Sequence, residues 1–258
     1  MNRFHLSKWY MDAISADGDV LICYAAHLKW GLLSIPFSQI IFHAGSFIAK
    51  TGLFKNAVFP KSQDGFLKLK IGEDELTWNQ LAEAKKFTLY DSPRGKIEWN
   101  VMMPSAAFTT NSGEFFKNGL GYIEKLEMTI PPWKLPISQL RWGRFVSEKT
   151  YCTWIEWKGD HPKILVICDG EVFENAEISE EEIYIPQKDL RLKLSKQKIL
   201  REGNIGGTAF KKIPFFHVIF PSKVLKMYEW KARSFGEIFK NGEKISHGWA
   251  IHEIVRFT

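Results

Sequence analysis

Glu114 to Gly119 reads EFFKNG, and Glu237 to Gly242 reads EIFKNG, 123 residues further on. The features around each copy come in the same order. A Glu-Trp segment precedes it: Lys96 to Trp99 (KIEW) in the first half, Met227 to Trp230 (MYEW) in the second. A Gly-aromatic segment holding an acid follows it: Gly121 to Glu124 (GYIE) and Gly248 to Glu253 (GWAIHE). Lys-Asn-Gly is a common hairpin turn, so coincidence is the competing explanation. The shared order of flanking features instead favours two similar β domains in tandem, each ending in the same hairpin. A proline-rich joint, Ile130 to Pro136 (IPPWKLP), falls where the first copy ends. Proline removes a sheet hydrogen bond and suits such a crossing. The expected domains are residues 1–130 and 131–258.

Short alternating runs support an all-β chain. Val20, Ile22, Tyr24, Ala26, Leu28 and Trp30 share one face at period two. Tyr151, Thr153, Ile155 and Trp157 repeat the pattern, as do Ile164, Val166 and Cys168. Turn signals separate the runs: Asp17-Gly18, Asp91 to Gly95, Lys158 to Pro162 and Asn241-Gly242. One exception is expected. Glu73 to Lys86 is rich in Glu, Leu, Ala and Lys and reads as a short helix.

The 258 residues are 45% hydrophobic and 25% charged, a globular mixture that excludes a largely disordered or collagenous chain. Ten Trp, twenty Phe and seven Tyr point to pleated surfaces and large apolar pockets. The net charge of +6 is spread out, with basic residues interleaved among acids, so nucleic-acid binding is not expected. The three cysteines, Cys23, Cys152 and Cys168, form no CxxC pair and leave at least one thiol free. Met1 to Asp12 does not read as a signal peptide. A reduced, cytoplasmic location is therefore expected.

Trp30 to Ala49 (WGLLSIPFSQIIFHAGSFIA) carries no Asp, Glu, Lys or Arg and has the length of a membrane span. Pro36, Gln39 and His43 dilute it. Buried strands joined by a loop are the preferred reading. Peripheral contact with a membrane surface is a third.

Two carboxylates stand out. Tyr122, Glu124, Leu126 and Met128 share one strand face, which sets an acid among apolar neighbours. Trp249, Ile251, Glu253, Val255 and Phe257 do the same in the last strand. A carboxyl buried without a partner favours its protonated form, and a neutral acid can protonate an alkene or polarise a carbonyl. Aromatic walls could then shield a carbocation. Ion pairing is the competing role: Glu124 with Arg144, and Glu253 with Arg233 or Lys231. His247 and His252 do not share a strand face and have no third ligand nearby in sequence, so no metal site is expected. Gly203 to Gly207 (GNIGG) lacks dinucleotide-loop spacing and reads as a loop.

The run Gly119 to Phe145 (GLGYIEKLEMTIPPWKLPISQLRWGRF) resembles the central signature of the lipocalin-like carotenoid 1,2-hydratase/AttH family. So does the end of the chain, with Glu229 to Ser234 (EWKARS) followed by Gly248 to Val255 (GWAIHEIV). The resemblance implies two tandem lipocalin-like antiparallel β-barrels. It also implies a bulky apolar ligand (an isoprenoid, polyene or lipid) handled without a cofactor. Tyr122, Trp133, Trp142, Arg144, Trp230, Trp249 and His252 become candidate ligand contacts. Two functions are open: a carrier with a lipocalin-type pocket, or a hydratase or cyclase using Glu124 or Glu253 as general acid.

Overall fold

A computed structural model describes residues 4–44, 46–208 and 221–257. The chain divides into two compact units, Met1–Pro131 and Pro132–Thr258. The first contains β1 (Phe4–Ile14), β2 (Val20–Trp30), β3 (Leu33–Ala44), β4 (Ser46–Leu53), β5 (Lys61–Gln63), β6 (Phe66–Ile71), β7 (Asp74–Gln80), β8 (Lys85–Ser92), β9 (Gly95–Thr110) and β10 (Asn118–Met128). The second contains β11 (Ile137–Val146), β12 (Tyr151–Gly159), β13 (Lys163–Cys168), β14 (Glu171–Phe173), β15 (Glu177–Ile178), β16 (Glu182–Ile185), β17 (Leu190–Asn204), β18 (Tyr228–Lys240) and β19 (Glu243–Arg256).

All pairings are antiparallel, and the two units share one plan. The first sheet runs β4-β3-β2-β1-β10-β9-β7-β6-β5, with β8 pairing β9 off this path. The second runs β14-β13-β12-β11-β19-β18-β17-β16-β15. In each unit the first strand pairs with the last, and the repeated KNG-containing segment lies at the hairpin between the last two strands. Among the described residues the strand pairings show neither sheet closed into a full barrel. β5 and β15 span only three and two residues, and their exposed Lys61 and Glu177 blunt further pairing.

One face of each sheet forms a core. Met11, Leu21, Cys23, Ala25, Leu76, Trp78, Phe108 and Ile123 cluster in the first unit. Phe145, Cys152, Trp154, Val166, Ile183, Leu192 and Ala250 cluster in the second. Each fully buried Leu, Ile or Phe contributes about 1.5–3 kcal/mol. On β2 the core residues are Leu21, Cys23 and Ala25, and the alternate face (Val20, Ile22 and Leu28) is buried as well. The continuous apolar run Val20 to Cys23 serves both faces.

The helix expected over Glu73 to Lys86 is absent: that segment forms β7, a bend and the start of β8. Leu76 and Trp78, two apart, are both fully buried, whereas Leu81 is exposed. A period of two wins over helix propensity when tertiary burial rewards it. Apart from Gly45, which lies outside the described residues, Trp30 to Ala49 lies on β2, β3 and β4 and the turn at Gly31 and Leu32, as the reading of strands joined by a loop expected. No helix among the described residues is long and apolar enough to cross a membrane. All three cysteines are free and buried, with Cys152 opposite Cys168 in register.

Two glycines set strand approach. A Cβ on Gly121 would fall 2.4 Å from the Asp12 carbonyl oxygen and 2.8 Å from the Trp78 ring. Trp78 Nε1 donates to that same carbonyl at 2.7 Å, so Gly121 makes room for an indole reaching β1. Gly143, the centre of Trp142-Gly143-Arg144, carries the Trp154 ring: a Cβ there would lie 2.2 Å from it. The Trp-Gly-Arg motif is thus a packing motif, in which the missing side chain admits an indole.

Candidate functional site

Four residues form a polar-aromatic group on the first sheet, on the face opposite its core. β1 and β10 pair so that Tyr10 faces Glu124 and Asp12 faces Tyr122. Their neighbours Met11 and Ala13, pointing the other way, belong to the core. The two carboxyl groups are therefore diagonal neighbours across adjacent strands. Register shifts opposite Gly121, Ile123 and Glu124 mark extra residues on β9 between Ala106 and Val101, a device that re-aims side chains. Asp12 is 0% exposed and Glu124 8%. Glu124 Oε2 accepts from Trp99 Nε1 at 2.6 Å and from the Tyr122 hydroxyl at 2.8 Å. Tyr10 packs edge-on against Tyr24 at 5.4 Å and tilted against Tyr122 at 6.2 Å.

In the second unit Glu253 follows the ion-pair role. Lys231, opposite it on β18, is 3% exposed and bonds Glu253 Oε2. The ammonium also lies 3.9 Å from Glu229 and 5.7 Å from the Trp142 ring centroid. Arg201 pairs Glu229 at 3.1 Å. The result is a chain of alternating charge crossing β17, β18 and β19, buried at Glu229 and Lys231 and half-buried at its two ends. The Arg233 guanidinium lies over the Trp249 ring at 4.5 Å, and Phe235 packs edge-on against that ring at 5.3 Å. Arg144, fully buried, donates to the Trp249 carbonyl at 3.0 Å.

His252 is separated from Glu253 by the sheet itself, since adjacent strand residues face opposite sides. Its ring meets Ser234 Oγ at 2.8 Å and the Trp230 edge at 5.3 Å. It sits beside Gly143 and Ala232 in the register. Burial pushes its pKa down to about 4 from 6.5. The unfolded chain takes up a proton that the folded chain refuses, so this stability is fully present above pH 6.5 and is lost as pH falls towards 4. Between those limits the loss is about 3 kcal/mol. In urea unfolding at neutral pH and near pH 4.5, His252→Gln should lose less stability on acidification than the wild type. An unchanged difference would mean that this imidazole does not carry the acid sensitivity.

The sequence-derived residues thus fall into separate groups. Tyr122 and Glu124 join Trp99, and Glu253 joins Trp142 through Lys231. Trp230 joins His252. Trp133 packs in a small cluster with Val224, Met227 and Val255. Sequence reasoning missed Asp12 and Tyr10. The signal was present, because Tyr10, Asp12 and Ile14 alternate as Tyr122 and Glu124 do.

No family model matches the sequence, and no curated protein matches it. Solved structures do. An AttH-type protein from Nitrosomonas europaea superposes with a TM-score of 0.57 at 7% identity, covering 98% of this chain and 92% of that one. CghA with Sch210972 gives 0.55 at 9% identity, over 99% and 89% of the two chains. Kievitone hydratase from Nectria haematococca gives 0.54 at 10% identity, over 97% and 88%. The architecture is therefore the tandem lipocalin-like fold of these proteins, in agreement with the motif-level resemblance.

Proposed function

We propose that this protein is an enzyme that adds water to, or cyclises, a bulky apolar small molecule such as an isoprenoid or polyene, using its own carboxyl groups. The observation that carries this reading is the pair Asp12 and Glu124, both buried on one sheet face among Tyr10, Tyr122 and Trp99. Two carboxyl groups on one sheet face, set among aromatic rings, can divide the work of general acid and general base. Glu124 gives its carboxyl proton to an alkene carbon, and the π pair forms the new C–H bond. The cation left on the neighbouring carbon is shielded by the aromatic rings. Water attacks that carbon and its proton passes to Asp12. In a cyclisation a second double bond attacks instead, and Asp12 removes the final proton. The fold shared with kievitone hydratase supports a hydratase-type chemistry.

A carrier for the same class of molecule is the second reading. It is favoured by the Glu253–Lys231 pair, since an acid held by a cation fixes geometry rather than reacting. The test is incubation with a panel of polyenes, isoprenoids and prenylated phenols in oxygen-18 water, followed by mass spectrometry. A product carrying one labelled water, or a ring-closed isomer of unchanged mass, is expected. A panel member that binds tightly and is recovered unchanged would establish the carrier.

A further inference from the structure

Residues 20–63 contain no Asp or Glu, yet hold Lys29, Lys50, Lys55 and Lys61. This segment builds β2, β3 and β4, one edge of the first sheet. It also carries five of the nine exposed large hydrophobic residues among those described, so exposed apolar surface is concentrated there. The turn between β2 and β3 is the extreme case. Leu32 is 105% exposed and Leu33 41%, next to half-buried Trp30 and exposed Lys29. Phe54, 51% exposed, follows Leu53, which pairs with Phe37 on β3. That sets Phe54 about 10 Å along the strand direction from Leu33, towards the same end of the sheet. Exposed Lys55 adjoins it.

The acids on the neighbouring strands at this end are already matched. Glu127 on β10 pairs with His5 at 3.1 Å and Lys125 at 2.7 Å. Glu98 on β9 pairs with Lys96 at 3.2 Å and Lys86 at 3.3 Å. The surplus charge at the tip is therefore positive.

We propose that this end of the first unit docks on an anionic lipid bilayer. Leu32 and Leu33 enter the boundary between headgroups and acyl chains, flanked by Phe54. Lys29 and Lys55 meet the lipid phosphates and carboxylates. A leucine at a hairpin tip brings no unsatisfied backbone deep into the bilayer, because the strands behind it remain paired. Lysines beside an apolar anchor favour an anionic surface over a neutral one.

Co-sedimentation with vesicles tests this without any substrate, so it fails or succeeds independently of the catalytic reading. Wild-type protein should pellet with vesicles of phosphatidylcholine mixed equally with phosphatidylserine. It should pellet less with phosphatidylcholine alone, and less at high salt. Leu32→Glu/Leu33→Glu should lower the partition coefficient at least about tenfold. Lys29→Glu and Lys55→Glu should each lower it about fivefold on the anionic vesicles. Ile245→Glu, at an exposed residue of the second unit, should bind as wild type. Unchanged thermal unfolding of each variant guards against misfolding. Absence of pelleting with both vesicle types would overturn the proposal, as would equal binding by wild type and the leucine variant. A solution dimer that Leu32→Glu/Leu33→Glu dissociates would assign the surface to a second copy of the chain and would also overturn it.

Discussion

Glu124→Gln is expected to lower turnover about 100- to 10,000-fold while leaving the protein folded and able to bind the same molecule. Glutamine is isosteric, and its amide carbonyl can accept both the Trp99 indole proton and the Tyr122 hydroxyl proton that Glu124 Oε2 accepts. What it cannot do is release a proton to carbon. Glu124→Ala is the contrasting variant. It leaves an indole N–H and a phenol without their acceptor in a buried place, at about 1–3 kcal/mol each. The expected pattern is thus a small change in urea midpoint for Gln, a large one for Ala, and lost turnover in both. Asp12→Asn should depress turnover too, by removing the base. A Glu124→Gln variant that converts substrate at the wild-type rate would remove this carboxyl from the chemistry.

The largest effect on stability is expected at Lys231. Its ammonium is buried between Glu253 and Glu229, over the Trp142 ring. Lys231→Met keeps most of the volume but strips Glu253 of that cation, at about 3–5 kcal/mol. Glu229 retains Arg201, so the damage should centre on Glu253. A second substitution checks the cause. Lys231→Met/Glu253→Gln should recover most of the loss, because a neutral amide needs no counter-charge. Urea denaturation of the four proteins in this cycle measures the coupling. Additive effects would show that packing around the lysine stem, and not the ion pair, had been removed.

The tandem plan was legible because it is written twice in local features: a Glu-Trp strand, a KNG-containing segment and a Gly-aromatic strand. Alternation alone set Glu124 and Glu253 on their faces. The partners were less visible. Trp99 reaches Glu124 from a neighbouring strand 25 residues away, and register is not encoded in any single segment. For Glu253 the sequence offered Lys231 and Arg233 equally, and pairing opposite residues of β18 and β19 selected Lys231. His252 and Glu253 are neighbours in sequence, yet one residue along a strand means the other side of the sheet. The expected helix over Glu73 to Lys86 failed because propensity was read there and the period of Leu76 and Trp78 was not. Closure into barrels came from the resemblance, and the pairings among the described residues do not show it.

Pairing of first strand with last has a consequence for synthesis on the ribosome. Leu6 lies opposite Met128, and Gln139 lies opposite Arg256. The opening strand of each unit must wait for nearly the whole unit to emerge before its ladder to the closing strand can form. Such non-local closure makes folding slow relative to helical proteins of similar size. The first unit nevertheless gains its last strand before the second unit's first strand is made, so the nascent halves mature in sequence. The same adjacency leaves the two ends of each unit side by side. A unit re-joined through those ends and opened at the exposed turn at Gly65 or Gly242 would keep every ladder it has now.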